Sequence, residues 1–271
     1  MLGHSSAKPT PRRVVFLSTV LTHYRTGFHN RVRDLLADQE IEYVLVYGQP
    51  DADQSVKNDT VSVPWGTEVR NSYFGVGGSF LVWQWVLRPL LGADLVILGQ
   101  ENRHLINYFV QLIPRRLRPR LAFFGHGRNF QARDPNSRSE RWKQYWATKV
   151  DWLFGYTEES RRVITGLGFP DERFTVFNNA IDTSQLSTLS RGVTSSDLAR
   201  VRADLGLRGE IVGVYVGGLY SEKRIPFLVE SLDLIRARVP KFEFIAVGGG
   251  PQLPILQSAA EVRACLNVTG P

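Results

Sequence analysis

Sulfur is scarce in this sequence. Its 271 residues include one cysteine, Cys265, and one methionine, so the chain cannot form an internal disulfide or a cysteine-based zinc site. The motifs HExxH and CxxC, which hold zinc or carry redox chemistry, do not occur. These absences predict an intracellular protein that uses no metal.

Long uncharged apolar runs are also lacking. The most apolar stretch, Phe80–Leu98, is interrupted by two charged side chains, a glutamine and a proline, and falls well short of the roughly 20 residues that a transmembrane helix needs. Residues 1–12 are polar and contain two prolines but no apolar core of a signal peptide. We interpret residues 1–12 as a loose leader and expect a cytoplasmic protein.

Acidic side chains are outnumbered by basic ones. Lys and Arg total 33 against 26 for Asp and Glu, which gives a net charge of +7 and a pI near 9.7. Such a charge favours nucleic acid, phosphorylated small molecules or the acidic inner face of a membrane as partners. Because no motif of a nucleic-acid-binding fold accompanies the charge, we expect no nucleic acid partner.

A basic run and an aromatic segment keep peripheral membrane contact open. Pro114–Arg120 carries four arginines, and Phe80–Leu87 is rich in Trp, Phe and Leu. The ordinary interpretations are a solvated surface and a core helix. Together, the two segments also fit docking on an anionic inner membrane face.

Apolar runs of strand length alternate with amphipathic segments of helix length from Arg13 onward. This alternation predicts an α/β fold with parallel sheets. We place domain boundaries to give an N-terminal domain at 13–185, a linker and helix at 186–209, and a short second α/β half at 210–271. The predicted strands are Val14–Ser18, Ile41–Tyr47, Asp94–Leu98, Leu121–Phe124, Trp152–Tyr156, Phe174–Phe177, Ile211–Val216, Phe242–Val247 and Leu266–Val268.

Two loops of the N-terminal half follow predicted strands, at the sheet edge where open α/β folds bind ligands. The first contains His23, Tyr24, Arg25 and Gly27, and a helix begins beside it, which suits an anion. The second places His126 between two glycines, where the imidazole can orient a substrate hydroxyl. The alternatives are a solvated turn for the first loop and a structural histidine for the second.

The C-terminal half carries two more glycine loops between a strand and a helix. Gly217-Gly218 is followed by Lys223 and Arg224, and Gly248-Gly249-Gly250 follows the next strand. Neither loop completes GxGxxG, so a dinucleotide cofactor is not expected. Lys223 is a candidate phosphate ligand or a solvated turn residue, and for Arg224 the solvated turn is favoured.

The strings Thr175–Asp182, Val216–Lys223 and Val247–Pro251 resemble motifs of family 4 retaining glycosyltransferases of GT-B fold. The resemblance spans nearly the whole chain. It implies two Rossmann-like halves, the second incomplete, with the acceptor in the first and a nucleotide sugar in the second. It implies hexosyl transfer, with retention, to a saccharide or lipid-linked saccharide in polysaccharide biosynthesis. A nucleotide sugar is then a co-substrate, and no cofactor is required.

The resemblance also assigns roles to individual residues. His126 resembles the active-site histidine, and Gly27, Gly217, Lys223, Gly249 and Gly250 resemble donor-binding positions. His23, Tyr24 and Arg25 fall on the acceptor side. Gly218 stands where the family usually has an arginine.

One further departure concerns activity. The family's paired glutamates, which hold the donor sugar and ribose, lie downstream of the segment that 267–271 resembles. We therefore expect a C-terminally truncated chain without measurable transfer. The alternative is a non-catalytic remnant that binds a membrane surface or a partner.

Overall fold

The computed structural model describes residues 12–55, 59–76, 79–90, 92–127 and 137–270. The predicted leader falls outside these ranges except for Arg12, which begins the first strand. The chain divides into two compact units, Met1–Asp182 (unit 1) and Thr183–Pro271 (unit 2). Each unit has its own parallel sheet, as the alternation of strands and helices predicts.

Unit 1 is built around a sheet in which strand order is β3-β2-β1-β6-β7-β8-β9 and every pairing is parallel. These strands are rich in β-branched and aromatic residues because a parallel sheet is covered on both faces. The strands of unit 1 are β1 (Arg12–Val20), β2 (Ile41–Gly48), β3 (Thr67–Val69), β4 (Asn71–Val76), β5 (Ser79–Gln84), β6 (Leu95–Gly99), β7 (Arg120–Gly125), β8 (Trp152–Gly155) and β9 (Phe174–Val176).

Helices cover the sheet and complete the core. They are α1 (Thr26–Ala37), α2 (Ala52–Ser55), α3 (Leu87–Leu90), α4 (Leu105–Leu112), α5 (Arg138–Ala147) and α6 (Glu158–Gly166), with short 3-10 turns at His23–Arg25 and Asp171–Arg173. Ile106 of α4 and Ile164 of α6 are fully buried against strand residues such as Leu98 and Leu153. This packing fixes the carboxyl ends of the strands, from which the candidate loops begin.

The prediction of a core helix at Phe80–Leu87 is wrong. Most of the segment forms β5, which pairs antiparallel with β4. Side chains alternate along β5, so that Val82 and Gln84 are buried, and this period of two fits a strand. Because the run is almost uniformly apolar, its pattern does not discriminate strand from helix, and the pairing with β4 decides.

Unit 2 contains a smaller parallel sheet of order β10-β11-β12. Its elements are α7 (Ser184–Gly192), α8 (Ser195–Asp204), β10 (Val212–Val216), a 3-10 turn (Ser221–Lys223), α9 (Ile225–Arg238), β11 (Glu243–Val247), α10 (Leu253–Val262) and β12 (Leu266–Thr269). Leu232 of α9 and Leu256 of α10 pack on Phe244, Ala246 and Leu266 in one core. The segment 186–209 consists largely of residues of the two helices α7 and α8.

Candidate functional site

The strand order of unit 1 contains a reversal of the kind beside which open α/β sheets bind ligands. Strand β1 lies between β2 and β6. The chain therefore forms the neighbour on one side of β1 first, and later returns to form the neighbour on the other side. Open α/β sheets bind ligands at the carboxyl ends of strands beside such a reversal. The loop after β1 carries His23, Tyr24 and Arg25, and the loops after β7 and β9 carry His126 and Asn179.

Arg25 is the centre of the contacts at this edge. Its Nη2 atom donates to the Tyr156 hydroxyl at 3.2 Å and to Asn179 Oδ1 at 2.6 Å. The guanidinium lies 5.4 Å from the Tyr156 ring centroid and 5.5 Å from those of Tyr24 and Phe124. The structure thus brings together Arg25, which the sequence singles out, and Tyr156 and Asn179, which it does not.

The position of Asn179 depends on an unusual backbone. Asn178 and Asn179 have φ values of 58° and 46°, in the left-handed region that asparagine tolerates better than most residues. These two residues follow the end of β9 and turn the chain so that the Asn179 amide oxygen meets Arg25. The backbone of this turn therefore favours the Asn-Asn pair of the motif Thr175–Asp182.

His126 is exposed at the end of β7, and its ring meets the Tyr156 ring edge-on with centroids 4.3 Å apart. Partial removal from water and the charge of Arg25 both lower the pKa of His126. The imidazole is consequently neutral at pH 7, and a neutral ring nitrogen can accept a hydrogen bond from a hydroxyl.

Gln100 fixes the backbone around His126. The Gly127 N–H donates to Gln100 Oε1 at 2.7 Å, and Gln100 Nε2 donates to the Gly127 carbonyl at 3.0 Å. A Cβ on Gly125 would lie 2.7 Å from the Gln100 Cβ. Gly127 has a φ of 83°, so both glycines are needed for this close approach.

Glu101 is another residue that sequence reasoning missed. Its Oε2 atom accepts a hydrogen bond from Thr19 Oγ1 at 2.8 Å, which joins the loop after β6 to the end of β1. The residue as a whole is exposed, but shielding of its carboxyl group from water raises its pKa, against the opposing effects of the Thr19 hydrogen bond and the Arg103 charge. A carboxylate is thus held at the same edge as Arg25.

Gly27 has a packing role in unit 1. A Cβ at this position would lie 2.7 Å from the Asp182 Cβ, so the absence of a side chain lets the chain after β9 approach the first turn of α1. His23 uses Nδ1 to contact the Asp59 carbonyl at 3.2 Å, while Tyr24 is exposed. Of the acceptor-side residues predicted, Arg25 therefore has the most contacts with the edge.

The two glycine loops of unit 2 lie directly against each other at the carboxyl ends of β10 and β11. The Gly217 N–H donates to the Val247 carbonyl at 3.0 Å, and the Leu219 N–H donates to the Gly249 carbonyl at 2.8 Å. Gly217, Gly248 and Gly250 have φ values of 153°, 144° and 148°, which strongly favour glycine. The loops thus form one surface of glycine backbone, bordered by the rings of Tyr215 and Tyr220.

The charged residues beside this surface have different surroundings. Lys223 is exposed at the end of the 3-10 turn. Arg224 adopts φ 54° before α9, and its guanidinium lies 4.8 Å from the Phe227 ring centroid. The side chain that Gly218 lacks would overlap the Tyr220 ring, so an arginine at position 218 would require Tyr220 to move.

The basic run of unit 1 is partly structural. Arg118 is nearly buried and pairs with Asp151 at 3.0 Å, and Arg115 also forms an ion pair with Asp151. Trp85 remains exposed beyond the end of β5. Membrane contact at these segments stays a prediction.

A metal-binding cluster and a membrane-spanning helix are both absent from the described part of the chain. Among its residues, no group of three or more His, Cys, Asp or Glu side chains could hold a metal ion. Of the helices formed by those same residues, none has the length and apolar character needed to cross a membrane.

Comparisons with known proteins support the fold. No family model and no curated protein matches the chain. Among solved structures, the chain is similar to Anabaena Alr3699/HepE in complex with UDP-glucose, with a TM-score of 0.60, 15% identity, and coverage of 95% of this chain and 68% of that one. It is also similar to the E. coli trehalose-6-phosphate structure bound with UDP-2-fluoro glucose, with a TM-score of 0.60, 13% identity, and coverage of 96% and 73%.

A third similar structure is the UDP-GlcNAc 2-epimerase from Methanocaldococcus jannaschii, with a TM-score of 0.54, 13% identity, and coverage of 96% of this chain and 72% of that one. The two parallel sheets and these similarities identify the architecture as GT-B. At such low identity the similarity concerns the fold alone, and fold does not determine the reaction.

Proposed function

We propose that this protein is a glycosyltransferase that moves a sugar from a nucleotide sugar to a hydroxyl on a saccharide or lipid-linked saccharide. The observation that carries the proposal is the glycine backbone surface at the carboxyl edge of unit 2, in a fold whose similar structures contain UDP-glucose or UDP-2-fluoro glucose. Because a UDP-GlcNAc 2-epimerase is also similar, the choice of transfer over epimerisation rests on the motifs that resemble family 4 enzymes.

Unit 2 supplies the donor groups in this proposal. Gly217, Gly249 and Gly250 let the donor approach the backbone, since glycine carries no side chain. The exposed ammonium of Lys223 supplies a cation for the diphosphate. Positive charge that stabilises the departing diphosphate lowers the barrier to transfer.

Unit 1 supplies the acceptor groups. The neutral imidazole of His126 accepts a hydrogen bond from a sugar hydroxyl and orients it. In the transfer, the acceptor oxygen bonds to the anomeric carbon, the bond from that carbon to the diphosphate oxygen breaks, and the acceptor hydroxyl passes its proton to the departing diphosphate. Retention of anomeric configuration is part of the proposal through the family 4 resemblance.

Binding of UDP measures the donor role of Lys223. Replacing Lys223 by glutamine is expected to weaken UDP binding about tenfold, since one charge-assisted contact is lost. Calorimetric titration checks this, with Lys241→Gln as the control because Lys241 is also an exposed lysine of unit 2. Equal UDP affinity for the Lys223 variant and the wild type would contradict the assignment.

The same samples test turnover. We propose, as an expectation carried over from the family 4 resemblance, that this chain binds a nucleotide sugar but shows no measurable transfer. Acceptor-dependent release of UDP from UDP-glucose, at a rate clearly above that of a sample without protein, would show that the residues present form a complete site.

A further inference from the structure

The charge of Arg25 lacks a carboxylate partner in the described part of unit 1. Its hydrogen-bond partners are a phenol and an amide, both neutral. Its Nη1 atom is buried and has no hydrogen-bond partner. A buried N–H without a hydrogen-bond partner is costly, so the Nη1 atom of this half-buried side chain is available to an anion that the described residues do not supply.

The surroundings of Arg25 increase its preference for an anion. Three aromatic rings lie within 5.5 Å of the guanidinium and limit its access to water, which strengthens electrostatic attraction. Helix α1 begins at the next residue, Thr26, and its first turn contains no acidic side chain. The partial positive charge of that helix end therefore adds to the charge of Arg25.

We propose that Arg25 binds an anionic group of the acceptor, a phosphate or a carboxylate, and so selects charged acceptors for binding. This inference rests on the proposed function. The donor diphosphate has its own cation and backbone surface in unit 2, whereas Arg25 belongs to unit 1 beside His126 and the exposed ring of Tyr24. The planar guanidinium can form two parallel hydrogen bonds with either oxyanion.

The test uses binding of simple probes to the 271-residue chain, followed through the His126 ring signals in NMR spectra. Glucuronic acid, inorganic phosphate and neutral glucose are titrated separately. Because the charge of Arg25 lowers the pKa of His126, an anion bound to Arg25 is expected to raise that pKa. We expect this change with glucuronic acid and with phosphate but not with glucose. The anion that binds more tightly shows whether Arg25 prefers a carboxylate or a phosphate.

Variants at Arg25 show whether the anion binds to this side chain. Arg25→Gln is expected to weaken glucuronic acid binding about tenfold or more, and Arg25→Lys to weaken it less. Arg31→Gln, which removes an exposed arginine of the same helix, should leave the affinity unchanged. Retained His29 signals show that the variants fold. Unchanged anion affinity in folded Arg25→Gln, or equal binding of glucose, would overturn the proposal.

Two controls separate this inference from the proposed function. If UDP alone produces the Arg25-dependent change at His126, the bound anion is the donor diphosphate and the acceptor assignment is wrong. UDP-glucose binding is measured on the same samples. If the anions show no Arg25-dependent binding while UDP-glucose still binds, only the inference is rejected. If the anions bind through Arg25 but UDP-glucose does not bind, the glycosyltransferase proposal is rejected.

Discussion

Replacing Gly248 by alanine is expected to lower the free energy of unfolding of unit 2 by about 3 kcal/mol or more. Gly248 has a φ of 144°, which an L-residue with a side chain rarely adopts. The added Cβ would also overlap the Gly217 carbonyl oxygen, and that oxygen belongs to backbone rather than to a side chain that could turn away. Strain and overlap act together at this position.

Urea unfolding and amide hydrogen exchange measure the effect and locate it. Faster exchange is expected at the amides of β10 and β11, whose ends carry the two glycine loops. Gly192→Ala is the control, since a Cβ at Gly192 meets no atom within 4 Å and the residue ends a helix of the same unit. If Gly248→Ala has the stability of Gly192→Ala, the two loops do not lie against each other as described.

Acid is expected to destabilise unit 1 through two buried histidines. His104 is fully buried, neither ring nitrogen has a hydrogen-bond partner, and burial lowers its pKa to about 3. Burial, with a smaller effect of Arg25, lowers the pKa of His29 to about 4, and its Nδ1 atom lies 2.8 Å from the Tyr43 hydroxyl. Both folded-state values lie below the ordinary 6.5.

The direction in which stability changes with pH follows from proton binding. Between pH 6.5 and the lowered values, the unfolded chain binds protons at these histidines that the folded chain does not, so stability falls as pH falls. Each histidine is expected to cost about 2 kcal/mol at pH 5 relative to pH 7.5. Urea unfolding at the two pH values measures the total.

His104→Leu isolates one contribution. Leucine fills a similar apolar space and carries no proton, so the variant is expected to lose about 2 kcal/mol less than the wild type between pH 7.5 and pH 5. His23→Asn is the control, because His23 is exposed. An identical loss in His104→Leu and wild type would mean that His104 is protonated in the folded protein.

Most of the strands could be predicted from the sequence because their residues are locally distinctive. The predicted Ile41–Tyr47 and Trp152–Tyr156 differ from β2 and β8 by a single residue at one end. Runs of β-branched and aromatic residues bounded by turn signals are sufficient for strands buried on both faces. The almost uniformly apolar Phe80–Leu87 has no turn signals within it that would distinguish a strand from a helix. Pairing with β4 decides that most of the segment is a strand.

The candidate site was harder to predict because its contacts join distant parts of the chain. Arg25 and His126 were identifiable from their loops, but the contact from Arg25 to Asn179 spans 154 residues and that from Thr19 to Glu101 spans 82. Gln100 carries no motif, and only the fold shows that it holds the backbone of Gly127. Gly27 was predicted from the same loop, and the structure adds Asp182 as the reason for its small size.

Amide hydrogen exchange of the 271-residue chain with and without UDP-glucose tests the proposed donor site most directly. Binding at the backbone surface of unit 2 predicts slower exchange in the loops around Gly217 and Gly249, with UDP producing most of the same protection and glucose producing none. Unchanged exchange in both loops at saturating UDP-glucose, while the core amides of β11 remain protected, would contradict the assignment of this protein as a nucleotide-sugar-dependent glycosyltransferase.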